Sequence, residues 1–169
     1  MLRRLLRPDL MARGTLAQLS IADLRERGIK ALILDVDRTL LPRHSAELPP
    51  AAEQWLREAS RHLPIHLFSN NPSRRRIGGL AERLGLPYTT SASKPRRAPL
   101  RRVLAQLGLP ANQVALVGDR LFTDVLAGNR LNLFTVLVKP IDPLGEPCNR
   151  DHLQRIELRM ARWMGMGTG

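Results

Sequence analysis

The feature that most constrains the fold is an apolar run, Leu32–Leu34, that ends at two carboxylates one residue apart, Asp35 and Asp37. An apolar run of this kind predicts a strand that is covered on both faces, over about residues 31–36, as in the parallel sheets of α/β proteins. Acids that follow such a strand lie at the carboxyl edge of the sheet, where open α/β folds build their sites. The sequence therefore predicts chemistry at this edge.

Strands and helices alternate along the rest of the chain. Four further strands are predicted at about 65–68, 86–89, 114–117 and 133–138, with helices at about 50–61, 74–84, 100–107 and 123–128 between them. A short helix precedes the first strand, and a last helix is predicted over 150–164. The pattern predicts a three-layer, Rossmann-like α/β fold with a parallel five-stranded sheet. We expect a single domain over 1–169, with its core at about 28–140 and a basic N-terminal segment at 1–19.

The charge of the chain limits its partners. Lys and Arg number 27 against 15 Asp and Glu, a net charge of +12, which favours phosphorylated substrates, anionic phospholipid or nucleic acid. Only 4% of the residues are aromatic, which disfavours stacking on single-stranded nucleic acid. The lone cysteine, Cys148, excludes an intramolecular disulfide and fits a reducing compartment. We expect a cytoplasmic protein, with peripheral binding to the inner face of the membrane as an extension of that expectation.

Polar side chains follow successive strands or lie in the loops between them. Because the carboxyl ends of parallel strands share one edge of a sheet, we expect these groups to converge. Mg²⁺ prefers hard oxygen ligands and needs no His or Cys, so four acids beside a hydroxyl and an ammonium indicate magnesium and phosphate. The residues concerned are Asp35, Asp37, Ser69, Lys94, Asp119 and Asp124.

In order and spacing these residues resemble the four motifs of haloacid dehalogenase-type (HAD) phosphatases. The Asp-x-Asp-x-Thr pattern is met by Asp35, Asp37 and Thr39. The later motifs are met by Ser69, by Lys94, and by Gly118-Asp119 with Asp124. The match covers about Leu32 to Asn129. Flanking segments are similar to subfamily IIIA, the YqeG-like subgroup that includes uncharacterised bacterial phosphatases and the mitochondrial phosphatidylglycerophosphate phosphatase.

This resemblance implies a HAD fold and a Mg²⁺-dependent phosphomonoester hydrolase. It implies that Asp35 forms an aspartyl-phosphate and that Asp37 serves as general acid and base. Asp35, the Asp37 backbone carbonyl and Asp119 would hold the metal, with Asp124 supporting them. Phosphatidylglycerophosphate is the favoured substrate. Four residues are implied in binding the substrate phosphate: Ser69, Asn70, Lys94 and Thr39.

Two positions leave alternatives open. Arg38 stands where the subgroup commonly carries Asn, and it either clamps the substrate phosphate or points to solvent; we favour solvent. Lys139 also follows a strand and competes with Lys94 for the phosphate, but only Lys94 lies between the second and fourth motifs.

The intervals between the motifs leave no room for a cap domain. Asp35 to Ser69 is 69 − 35 = 34 positions and Ser69 to Lys94 is 94 − 69 = 25, and predicted helices use most of both intervals. An open site suits a phosphate on a macromolecule or at a membrane surface.

The last predicted helix gathers apolar residues on one face, with arginines around them. We favour packing of this face on the sheet, with the arginines in solvent. The alternative is that the helix lies on anionic lipid. The apolar residues are Leu153, Ile156, Met160, Trp163 and Met164.

Two other functions stay compatible with the sequence. One is a phosphatase of another macromolecular phosphate, on protein or nucleic acid. The other is a non-catalytic module on the same fold that binds nucleic acid or ribosomes through its positive charge. Turnover that depends on Mg²⁺ distinguishes an enzyme from such a module.

Overall fold

The computed structural model describes residues 2–149 and 151–165. Within these residues the strands are β1 (Leu10–Met11), β2 (Ala31–Leu34), β3 (Ile65–Phe68), β4 (Tyr88–Thr89), β5 (Val114–Gly118) and β6 (Phe134–Leu137). The helices are α1 (Leu2–Leu5), α2 (Ile21–Glu26), α3 (Pro50–Ser60), α4 (Gly79–Leu84), α5 (Arg97–Leu107), α6 (Leu126–Asn129) and α7 (His152–Trp163). Single π-helical turns, Arg74–Gly78 and Leu121–Val125, lead into α4 and α6.

The strands form one parallel sheet in the order β1-β6-β5-β2-β3-β4. The chain builds outward from β2 through β3 and β4, then crosses back to place β5 on the other side of β2. Leu34 pairs with Val117 at the carboxyl end of this junction. Such a reversal of strand order opens a crevice at the carboxyl ends of the two strands. The predicted parallel α/β fold is confirmed.

Alternating side chains of the central strand pack into two separate layers of helices. Leu32 and Leu34 join the cluster that contains α3 and α4, whereas Ala31 and Ile33 join the cluster that contains α5. All four side chains are fully buried, as expected of a strand covered on both faces. The sheet is therefore the middle of three layers and gives the site a rigid floor.

The sheet has six strands, so the expectation of five was wrong. The additional strand, β1, contains two residues and pairs with β6 at the edge. The side chain of Asp9 holds it there, since the backbone N of Thr135 donates to Asp9 Oδ2 at 2.8 Å. A two-residue edge strand fixed by a side chain has too little hydrophobic periodicity to be seen in the sequence.

The orientation of α7 differs from the one expected. Glu157 and Ala161 are the buried residues of this helix. Of the face that was predicted to pack on the sheet, Met164 is partly buried against the core and the other four residues are exposed. An ion pair explains the rotation, because Glu157 accepts hydrogen bonds from Arg120 and turns inward. Arg150, the predicted start of this helix, lies outside the described residues.

The connections between the motif-bearing strands contain no cap domain within the part of the chain that the structure describes. Residues 35–64 form a loop and α3, and residues 69–87 form a π-helical turn and α4. Among the described residues, no helix has both the length and the apolarity that crossing a membrane requires.

Candidate active site

The loop after β2 holds the Asp-x-Asp pair at the crevice. The backbone N of Asp35 donates to Val117 O at 2.9 Å, which continues the β2–β5 ladder by one residue. The chain then turns back tightly, with the N of Leu40 donating to Val36 O at 2.8 Å. Within this turn, Thr39 Oγ1 donates to Asp35 Oδ2 at 3.2 Å. Asp35 is therefore buried and held in one orientation.

Lys94 lies between the carboxylates of Asp35 and Asp124. Its Nζ donates to Asp35 Oδ1 at 2.7 Å and to Asp124 Oδ1 at 2.6 Å, and its side chain is only 2% exposed. Burial alone would lower the pKa of Lys94, but the carboxylates of Asp124 and Asp35 outweigh burial and raise it. Lys94 thus provides a fixed positive charge beside Asp35.

Asn70 and Ser69, at the end of β3, have different partners. The backbone N of Lys94 donates to Asn70 Oδ1 at 2.7 Å, and Asn70 Nδ2 donates back to Lys94 O at 3.2 Å. Both ends of the Asn70 amide are therefore engaged in positioning Lys94. Ser69 Oγ points to the other carboxylate and donates to Asp37 Oδ2 at 3.4 Å.

Three buried acids, Asp35, Asp119 and Asp124, place one carboxylate oxygen each within 4.8 Å of one another. Burial raises the pKa of Asp119 well above its ordinary value, and the nearby carboxylates of Asp35 and Asp124 add to this effect. Burial and Asp35 also raise the pKa of Asp124, to about 6, against the opposing charge of Lys94.

One buried oxygen of this cluster, Asp119 Oδ2, has no hydrogen-bond partner among the described residues. Buried carboxylate oxygens are rarely left unpaired, and an all-oxygen donor set with excess negative charge is what Mg²⁺ binds. The three acids therefore fit a magnesium ion.

Gly118, directly before Asp119, is required by close packing. A Cβ on this residue would lie 2.3 Å from the carboxyl carbon of Asp124. Only glycine lets the Asp124 carboxylate approach the end of β5, where its Oδ2 accepts from the backbone N of Arg120 at 3.1 Å. The Gly-Asp pair and the later acid thus form one packed unit.

Asp37 projects toward the rim of the crevice and is paired with Arg76, from the π-helical turn before α4. Arg76 also donates from Nε to Ser45 O at 2.6 Å and from Nη2 to Pro42 O at 3.0 Å. The guanidinium therefore ties the acid to the loop after β2. Sequence analysis missed Arg76, because nothing distinguishes it from Arg74 and Arg75 beside it.

These groups surround a cleft of about 340 Å³. Its floor contains Asp35, Lys94 and Asp119, and its upper wall is basic. Every predicted site residue except Thr39 and Asp124 lines the cleft, and those two contact Asp35 or Lys94 from behind. The basic wall residues are Arg38, Arg43, His44, Arg76 and Arg120.

Arg38 does not point to solvent, contrary to the expectation. Its side chain is 18% exposed and forms an ion pair with Asp151, the N-cap residue of α7. The backbone of Arg38 has a φ of 64°, a left-handed conformation in which Asn is enriched. The ion pair with Asp151 accounts for Arg at this position in this chain.

The start of α7 is attached to the same edge of the sheet. Gln154 Nε2 donates to Asp119 O at 2.7 Å and to Val138 O at 2.9 Å. Glu157 accepts from Arg120 and, at 2.9 Å, from the backbone N of Leu121. The helix therefore fixes the loop that carries Asp119, a contact that sequence analysis did not foresee.

Lys139 does not compete with Lys94. It is exposed and absent from the residues that line the cleft, and its backbone N donates to Gly14 O at 2.9 Å. Of the two lysines, Lys94 is the one that lines the cleft.

Comparison with known proteins agrees with this geometry. Residues 91–140 match the family described as HAD-hydrolase-like. The chain is 32% identical over 142 residues to the probable phosphatase YqeG of Bacillus subtilis, covering 83% of this chain and 81% of YqeG. It is 33% identical over 156 residues to a chloroplastic phosphatidylglycerophosphate phosphatase 1 of Chlamydomonas reinhardtii, covering 86% of this chain and 58% of that protein.

Solved structures share the fold at low identity. An uncharacterized protein from Listeria monocytogenes serotype 4b superposes with a TM-score of 0.56 at 17% identity, covering 74% of this chain and 85% of that one. A haloacid dehalogenase-like hydrolase from Streptococcus pneumoniae gives a TM-score of 0.52 at 13% identity, covering 65% of this chain and 84% of that one. With the YqeG relationship, this shows that the chain belongs to the HAD family, as a phosphatase of the type that includes YqeG.

Proposed function

We propose that this phosphatase is a Mg²⁺-dependent phosphomonoester hydrolase that acts through Asp35 on phosphatidylglycerophosphate. The observation that carries the proposal is the position of Asp35, which is buried against Lys94 beside an acid cluster at the strand-order reversal. A fixed cation beside the carboxylate reduces the charge repulsion that the carboxylate meets when it approaches an anionic phosphoryl group.

The reaction divides between the two acids of the motif. A carboxylate oxygen of Asp35 attacks phosphorus, and the bond to the leaving oxygen breaks as Asp37 transfers a proton to it. Water then attacks the aspartyl-phosphate, gives its proton to Asp37 and releases inorganic phosphate and free Asp35. Asp37 suits both transfers because it lies at the rim, with its side chain 34% exposed.

The remaining residues bind and orient. Lys94 and Ser69 contact the transferred phosphoryl group, Thr39 holds Asp35, and Asn70 positions Lys94. The ion supplies charge neutralisation between the nucleophile and the phosphoryl oxygens when it is bound. Asp35, the Asp37 carbonyl and Asp119 would hold this ion, and Asp124, which accepts a hydrogen bond from Lys94, would brace the set.

The substrate assignment rests on the relatives and on the shape of the site. Two relatives are named phosphatidylglycerophosphate phosphatases, those of Chlamydomonas reinhardtii and Arabidopsis thaliana, although this chain spans only 58% and 44% of their lengths. Within the described part of the chain no cap covers the cleft, and arginines line its wall, which suits a phosphate held at a surface by a large anionic molecule. A soluble metabolite gains less from such an open site.

A phosphatase panel tests the proposal. Wild type and Asp35→Asn are assayed with Mg²⁺ against phosphatidylglycerophosphate in detergent, sugar phosphates, nucleotides and a phosphopeptide. We expect the lipid to give the highest kcat/KM and Asp35→Asn to lower every rate by at least about 10³-fold.

Two results would contradict parts of this assignment. Equal turnover by Asp35→Asn would remove Asp35 as the nucleophile. A soluble phosphate or phosphopeptide with higher kcat/KM than the lipid would replace the substrate and leave the chemistry in place.

A further inference from the structure

The outer face of α7 carries large apolar side chains in water. Ile156 and Met160 are about half exposed, at 51% and 50%, and Trp163 is 90% exposed. Together with Leu153 they recur at helical spacing and form one stripe along the helix. We call these four residues the α7 stripe. Exposed apolar side chains that gather in one stripe mark an interaction surface.

The stripe is bordered by positive charge. Arg155, Arg159 and Arg162 are all exposed and form the neighbouring row of the helix, and Arg159 lines an open groove with three residues of the stripe. The one acid of α7, Glu157, is buried against Arg120. The accessible surface of α7 is thus apolar and cationic, with no exposed carboxylate of its own.

From this arrangement we propose that the α7 stripe docks on the surface of an anionic lipid bilayer. A helix with an apolar stripe and adjacent arginines lies in the interface plane, with the stripe among the upper acyl chains and the guanidinium groups at the headgroup phosphates. Trp163 is suited to the same boundary because its ring is apolar and its indole N–H is polar.

A second copy of the chain fits this face less well. A two-fold contact through the stripe would bring the arginine row of one copy near that of the other. An RNA would pair with the arginines but leave the apolar stripe without a partner. A lipid surface with anionic headgroups satisfies both the apolar stripe and the arginine row.

Docking through α7 would also place the cleft near the bilayer. The helix contains 12 residues, about 18 Å at about 1.5 Å per residue. The N-terminal end of α7 is attached to the cleft through its N-cap residue Asp151, which pairs with Arg38, and through Gln154, which donates to the Asp119 carbonyl. The benefit of placing the cleft near the bilayer rests on the proposed lipid substrate. The docking of α7 does not depend on that substrate.

Vesicle binding tests the proposal. Full-length protein is sedimented with phosphatidylcholine vesicles and with mixed phosphatidylcholine–phosphatidylglycerol vesicles. We expect binding to the mixed vesicles only, with a blue shift of tryptophan emission. The shift reports on Trp163, because Trp55 is already buried and donates to Leu19 O.

Variants on the helix surface locate the binding face. Replacing Ile156 and Trp163 together by Glu should lower vesicle affinity at least about tenfold. Arg155→Gln with Arg159→Gln should lower it about 25-fold, about fivefold for each charge. All four side chains are exposed, so these changes should leave turnover of a soluble phosphoester unchanged.

Matched controls distinguish the effect of the α7 stripe from the effects of any exposed apolar residue and of net charge. Leu144→Glu changes an apolar residue that is 83% exposed outside α7. Arg101→Gln with Arg102→Gln removes the same charge from the exposed part of α5. Both controls should bind mixed vesicles as wild type does.

Several outcomes would overturn the proposal. One is that the active enzyme does not bind vesicles. Another is that the control variants lose as much vesicle affinity as the α7 variants. A third is that sedimentation velocity shows a dimer for wild type and a monomer for the Ile156/Trp163 variant. The proposal would also be overturned if the protein bound RNA in a salt-sensitive way instead of vesicles, and if substitution of Ile156 and Trp163 did not change that binding. Hydrolysis of the lipid in detergent without vesicle binding would refute docking alone, whereas docking without lipid hydrolysis would refute the proposed substrate alone.

Discussion

The two acids of the Asp-x-Asp motif occupy contrasting surroundings only two residues apart. The inner half of the site comprises Asp35, Lys94, Asp119 and Asp124, and its ion pairs have side-chain exposures of 9% or less. The outer half comprises Asp37 and Arg76, whose side chains are 34% and 15% exposed. The inner acid is held by a buried lysine, and the outer acid by an arginine from the π-helical turn before α4.

This difference matches what the two acids are proposed to do. A nucleophile benefits from a fixed position and a fixed countercharge, both of which burial provides. An acid that must exchange protons with a leaving group and then with water needs access to the cleft. We infer that the inner half determines the stability of the fold and is required for any turnover. The outer half determines which leaving groups the enzyme accepts.

The largest effect is expected from Lys94→Met. This change leaves Asp35 and Asp124 as buried carboxylates without their cation, and breaking a buried pair on one side costs about 3–5 kcal/mol. Urea unfolding should show that loss, and turnover should fall to background. Lys139→Met is the matched control, since Lys139 is exposed and outside the cleft, and it should change neither quantity. Similar losses in both variants would contradict the special role of the inner lysine.

Asp37→Asn should leave stability near that of wild type and lower turnover by about 10²–10⁴-fold. The loss should depend on the leaving group. An alkyl phosphate needs a proton on its departing oxygen, whereas an aryl phosphate with an acidic phenol needs less help. The ratio of the two rates, wild type against variant, measures this. A loss that is equal for both substrates would mean that Asp37 is not the acid.

Mg²⁺ should stabilise the folded protein by binding the inner half of the site, and this stabilisation should increase as pH rises. The pKa of Asp124 is raised to about 6 and that of Asp119 is raised as well, so the folded protein keeps protons that the unfolded chain has lost. Stability of the metal-free protein should therefore fall as pH rises from about 4 through 6. Mg²⁺ binds the ionised carboxylates and should restore about 2.7 kcal/mol at about 100 times its Kd.

Thermal unfolding with and without Mg²⁺, at about pH 5 and about pH 8, checks this prediction. The metal-induced rise in Tm should be larger at the higher pH and should disappear in Asp119→Asn. Glu26→Gln, which removes an exposed acid, is the control and should show the same metal-induced rise in Tm as wild type. A rise in Tm that is independent of pH would place the ion elsewhere.

The fold was predictable where hydrophobic pattern determines it. The buried strands β2, β3 and β5 and the glycine that ends α4 follow from local sequence, and parallel topology then brings Asp35, Ser69 and Asp119 to one edge. The pattern failed where a polar contact decides the structure. Examples are β1, held by the Asp9 side chain, and α7, which is turned by the partly buried pair of Glu157 and Arg120.

The site divides in the same way. Residues of the inner half follow strands or lie in motif loops, so their convergence could be inferred from the sequence. Arg76 lies in a π-helical turn on a different connection, and the sequence contains no signal for which of three consecutive arginines faces the cleft. Arg38 depends on a partner, Asp151, more than a hundred positions away. Such contacts require the packed structure.

The smallest effect is expected at the outer cation. Arg76→Met removes a partly exposed ion pair, so the free energy of unfolding should change by less than about 1 kcal/mol. Turnover of an alkyl phosphate should fall about tenfold, because Asp37 loses the group that orients it, and an aryl phosphate should be affected less. Arg75→Met, on the exposed neighbour, should behave as wild type. A stability loss as large as that of Lys94→Met would mean that Arg76 belongs to the inner half and that the division proposed for the motif does not hold.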